Sequence, residues 1–114
     1  IKPSGELSEL LDQFGLRNFL NKPFGQMSFG VQRKFSIVAG LIGNPNIVLM
    51  DEPSNGLDQR SHHLLIEYIN RHKQERLFVF ATHDSVLIEN TSAKIRSLDV
   101  RLEIVKPLAA ARLA

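Results

Sequence analysis

No cysteine occurs in the 114 residues. Disulfides and thiolate metal sites are therefore excluded, and a reducing compartment is the natural setting. No apolar run approaches the roughly 20 residues that cross a bilayer, and no signal-peptide pattern precedes the first helical stretch. Charge of one sign does not dominate: 14 Lys and Arg against 12 Asp and Glu leave a net +2. That is too little to imply nucleic acid or a membrane surface as a partner. There are no internal repeats. The phosphate-cradling pattern G-x-x-x-x-G-K-[ST] is missing too. Its nearest approach, Gly25 to Gly30 followed by Val31 and Gln32, has neither the lysine nor the hydroxyl. The chain opens on Ile1 rather than Met and reads as a piece of something longer.

What is present supports one small domain: 43% of the residues are hydrophobic, enough for a packed core. The most informative stretch is Asn46 to Asp58, NIVLMDEPSNGLD. Its apolar run predicts a strand at 47–50 buried on both faces, as in a parallel sheet. Asp51 and Glu52 then emerge at the C-terminal end, where open α/β folds place their ligands. Two adjacent carboxylates there suit a hydrated metal ion and an activated water. A second apolar run, Arg76 to Ala81, predicts another buried strand that leads straight into His83.

Helical patterns surround these strands. Leu7, Leu10, Leu11 and Phe14 share a face that Ser4 caps and Gly15 ends. A short helix at 17–21 and a loop at 22–27 follow. Ser28 then opens a helix whose stripe is Val31, Phe35, Val38 and Ile42, stopped by Gly43-Asn44-Pro45. Ser54-Asn55-Gly56 is a turn. Residues 59 to about 74 form an amphipathic helix with Leu64, Leu65, Tyr68 and Ile69 inward, and 84–90 a short one. Residues 94–98 and 101–105 predict a weak hairpin. Strand, helix, strand over about 35 residues is a βαβ unit.

Ser28 at a helix N-terminus offers free backbone N–H groups to an anion, and Gly30 lets a phosphate come close. As a lone residue, Ser28 is better explained as a simple cap. His63 and Glu67 share a face, but two ligands without a third read as solvated helix surface, and His62 and His72 read the same way.

Taken in order, MSFGVQRK at 27–34, IVLMDEP at 47–53, SNGLD at 54–58 and ATHD at 81–84 resemble the C-terminal half of the nucleotide-binding domain of ABC transporters. The likeness runs from about residue 5 to 90, and four motifs in order and spacing make it specific. It departs from the family's Leu-Ser-Gly-Gly-Gln pattern at Met27, Phe29 and Val31. The variant is similar to that of subfamilies serving exporters. The resemblance implies an α/β, partial P-loop NTPase fold with a βαβ crossover and part of the ABC helical subdomain. Residues 1–43 would belong to the helical subdomain, 44–94 to the catalytic core, and 95–114 to an extension without an assigned role.

By the same resemblance, Asp51 holds Mg²⁺ through water and Glu52 is the general base. His83 is the switch histidine that contacts the ATP γ-phosphate. Ser28 and Gly30 close over ATP bound by a second nucleotide-binding domain, and Asp58 belongs to the D-loop at that interface. Implied partners are that second domain and transmembrane transporter subunits, with no nucleic acid. The implied location is the cytoplasmic face of the cell membrane, as a peripheral subunit. Two other readings stand beside this one: a DNA-repair or chromosome-organising ATPase of the wider superfamily, and a non-catalytic regulatory half-domain. Without a lysine loop, the 114 residues alone are expected to hydrolyse no ATP.

Overall fold

A computed structural model describes residues 5–95. Helix α1 (Gly5–Gln13) leads through two single 3-10 turns, Arg17–Phe19 and Phe24–Gln26, to α2 (Phe29–Leu41). Strand β1 (Ile47–Asp51), helix α3 (Gln59–His72), strand β2 (Leu77–Ala81) and helix α4 (Ser85–Thr91) complete the order. β1 and β2 pair in parallel, in a register that sets Asp51 beside Ala81. The expected βαβ unit is therefore present, with α3 as its crossover. Local chemistry marks the boundaries: Ser28, Asp58 and Asp84 each cap a helix through a side-chain oxygen. Gly43 and Asn44, both at positive φ, turn the chain from α2 into β1.

One hydrophobic cluster joins all four helices to one face of the sheet. It contains Leu10, Leu11 and Phe14 from α1, Ile37, Val38 and Leu41 from α2, Leu65 and Ile69 from α3, and Leu87 from α4. Val48 and Phe80 supply the strand contribution, with Met50 and Phe78 packed against it. The opposite face is different. Ile47 is 58% exposed, Leu49 65% and Leu77 54%, although Val79 on that face is buried. This corrects the expectation of a β1 buried on both faces: the described helices all lie against the other side. The stripe of α2 is also rotated from its expected line. Ile37 and Leu41 are buried with Val38, while Val31, Phe35 and Ile42 are only partly covered. His72 is not the solvated surface residue expected, since its side chain is only 21% exposed and its ring packs, tilted by 42°, against Tyr68 with centroids 4.4 Å apart. Ser4 and the predicted hairpin lie outside the described residues, save Lys94 and Ile95, which sit in neither helix nor strand.

Candidate functional site

Parallel pairing brings two loops to the same end of the sheet. β1 ends at Asp51, and Glu52 follows with its amide donating to the Ala81 carbonyl at 2.8 Å. That bond extends the ladder by one residue and sets Glu52 beside the exit of β2. There the chain continues as Thr82, His83 and Asp84. The His83 Nε2 lies 3.8 Å from Glu52 Oε1, and Thr82 Oγ1 donates to Glu52 Oε2 at 3.3 Å. Thr82 is fully buried, whereas His83 is 60% exposed and Glu52 31%. The pair thus opens to solvent from a rigid floor. Glu52 adopts φ +43°, a left-handed conformation that glutamate rarely takes. Strain of this kind collects where a side chain must be aimed for function.

A second group of residues gathers around the turn 54–57. Ser28 Oγ accepts from the Val31 amide at 3.2 Å, so the hydroxyl caps α2. A Cβ on Gly30 would stand 2.9 Å from the Gly56 carbonyl oxygen, so glycine is required there by packing within the chain. Phe29 lies over Gly56, which has φ +82° and no room for a Cβ beneath the ring. Arg33 donates to the Asp51 carbonyl at 3.4 Å, and Lys34 pairs with Asp58 at 2.9 Å. These contacts hold the N-terminal turn of α2 against the loop that follows the acid pair. Asp58 also accepts from the Ser61 amide at 2.7 Å. The Lys34 hydrogen bond, followed by those from Ser61, lowers its carboxyl to about 2.

The sequence reading passed over two residues. Asp84 accepts from Ser54 Oγ at 2.6 Å and from the amides of Val86 and Leu87 at 3.0 and 3.1 Å. His62 Nε2 lies 2.5 Å from the same carboxylate. His62 is therefore not solvated helix surface as expected: only 23% of its side chain is exposed. His63 does fit that expectation, being 71% exposed and paired with Glu67 at 2.9 Å. Burial pushes the Asp84 carboxyl up, but the Ser54 and His62 contacts and the Leu87 amide outweigh it and hold it below the usual range. The one signal in the sequence was Asp84's place as a helix cap directly after His83.

Among the described residues no three His, Cys, Asp or Glu side chains cluster as a metal cage. Asp51 offers a single exposed carboxylate, a hard oxygen donor. That suits a Mg²⁺ ion, which keeps most of its waters and takes one or two carboxylates together with substrate phosphates.

A parallel βαβ unit with two acids at one strand tip and a histidine at the next fits part of the P-loop NTPase fold. Residues 10–89 match the family described as "AAA domain, putative AbiEii toxin, Type IV TA system". The ABC transporter ATP-binding protein NatA of Bacillus subtilis is 36% identical over 68% of this chain. The lipoprotein-releasing system ATP-binding protein LolD 2 of Chlorobium chlorochromatii is 40% identical, also over 68%. A solved bacterial ABC transporter cassette, dimeric in its structure, superposes with a TM-score of 0.66 at 26% identity over 79% of the chain. The chain belongs to this AAA-domain family and is, within it, part of an ABC-type ATP-binding cassette. It spans 32% of NatA, 33% of LolD 2 and 42% of the solved cassette. No helix among the described residues is long and apolar enough to cross a membrane.

Proposed function

We propose that this chain is the signature and acid-pair half of an ABC transporter ATP-binding subunit that couples Mg-ATP hydrolysis to export. The observation that carries the reading is the meeting of Glu52 and His83, 3.8 Å apart at neighbouring strand tips beside Asp51. Glu52 is placed to accept a proton from water attacking the terminal phosphoryl group. His83, half in solvent, is placed to contact that group's oxygens. Asp51 would hold Mg²⁺ through water, and the bound ion would neutralise charge on the phosphates. Ser28 and Gly30, at the N-terminus of α2, offer backbone N–H groups to an ATP held by a second such subunit. Asp58, in the loop between the two groups, meets that partner at the same interface. Support for a paired arrangement is the dimeric cassette that the chain resembles. Support for transport is the naming of both curated relatives, and the lipoprotein-releasing system of LolD 2 favours outward movement. The subunit would then sit at the cytoplasmic face, against membrane-spanning partners.

The experiment is Glu52→Gln in the full-length protein. Turnover of ATP should fall about a hundredfold or more, with ATP binding retained and a closed dimer accumulating. Turnover near that of the parent protein would remove Glu52 from the role of base. The 114 residues alone, which carry no lysine loop, serve as the inactive control.

A further inference from the structure

One carboxylate that this chemistry leaves idle links Ser54, His62 and the first turn of α4. Asp84 uses Oδ1 to cap α4, accepting from the Val86 and Leu87 amides. Capping is complete with that oxygen alone. Oδ2 is spent otherwise, accepting from Ser54 Oγ and from His62 Nε2. An ionised carboxylate only accepts, so Nε2 carries the proton of this contact. Ser54 lies two residues after Glu52, and Asp84 one residue after His83. His62 stands in the first turns of α3, on a separate, packed element. The side chains of His62 and Asp84 are only 23% and 21% exposed, so water competes weakly for the bond.

We propose that His62 is a positioning residue: by donating to Asp84, it braces the turn that carries His83 against α3, the helix that continues the loop carrying Glu52. The proposal rests on the reading of Glu52 and His83 as the pair facing a phosphoryl group. Without the brace, Asp84 Oδ2 would be held by the Ser54 hydroxyl alone, and the two loops would otherwise be joined by the Glu52 amide bond to Ala81 and the long Glu52 contacts to Thr82 and His83. The imidazole supplies reach from a helix fixed in the core by Leu65 and Ile69.

The test uses the full-length protein with His62→Ala and His62→Gln; glutamine sets an amide donor close to the position of Nε2. Backbone amides of 53–57 and 82–87 should exchange about fivefold faster in His62→Ala, with α1 unchanged, and return to the parent rate in His62→Gln. The kcat for ATP should fall about tenfold in His62→Ala with KM within about twofold, and His62→Gln should recover most of it. Unchanged exchange in both segments overturns the brace. So does a His62→Gln protein as loose as His62→Ala, or an unchanged kcat where exchange has risen. If exchange responds as expected but Glu52→Gln leaves turnover normal, the brace stands and the assignment of Glu52 falls.

Discussion

Two acidic side chains show how differently single residues contribute. Glu52 holds a backbone conformation that costs about 1–2 kcal/mol for a residue with a Cβ. Its contacts to Thr82 and His83 are long and partly solvated, so they offset little of that. Glu52→Gly should therefore unfold at no lower denaturant concentration than the parent chain while abolishing ATP turnover. A clear loss of stability would mean that the glutamate's contacts matter more than its strain. Asp58 is the opposite case, a cap that stabilises the fold. Asp58→Ala should cost about 1 kcal/mol at neutral pH, measured by denaturant unfolding. The Lys34 pair adds little to that, because the Asp58 side chain is more than half exposed. Its carboxyl is lowered from 3.8 to about 2 on folding, so its stabilising effect is full above about pH 4. That effect is lost as pH falls toward 2, and the gap between the two proteins should close over the same window. A gap independent of pH would exclude the carboxylate as its source.

Elements were legible in the sequence where chemistry is local, and less so where neighbours decide. Caps, glycine stops and apolar runs gave each helix and both strands, because each is written in a few adjacent residues. Asp51, Glu52 and His83 could be placed at one sheet end for the same reason: each stands at the end of a strand or within two residues of it. Facing was harder. The stripe on α2 was misdrawn by one position because Ile37 and Leu41 were as apolar as Phe35 and Ile42. His62 was missed because its partner lies 22 residues away, across a helix and a strand. The contact between α2 and the 54–57 turn was invisible as well, since nothing local pairs Phe29 with Gly56. That contact makes a prediction for the element. Gly56→Ala should destabilise by about 1–3 kcal/mol, partly through its positive φ and partly through the ring 2.5 Å from the new Cβ. Adding Phe29→Ala removes only the second part, so the double variant should be more stable than Gly56→Ala alone. If it is less stable, the ring is a favourable cover for the turn rather than an obstacle to a side chain.

For the described residues as a whole, the unevenness of the sheet is the dominant fact. One face is sealed by four helices, while Ile47, Leu49 and Leu77 stand more than half exposed on the other. Register sets Ile47 directly beside Leu77, and Leu49 lies two positions along the same face, so the three make one apolar patch. A patch of contiguous large aliphatic side chains drives association, because covering it releases ordered water at about 25 cal/mol per Å². A strand at a sheet edge adds unpaired backbone groups to the attraction. The 114-residue chain on its own should therefore self-associate, with an apparent mass in sedimentation that rises with concentration. Leu49→Lys with Leu77→Lys places two charges in the patch while leaving the helix-covered face and the Glu52–His83 pair untouched. That variant should stay monomeric at concentrations where the parent chain does not, and keep the parent's far-ultraviolet circular dichroism. Equal association of the two proteins would show that the patch is not what drives it, and that the exposed Phe24 and Phe29 on the other elements are the next surface to charge.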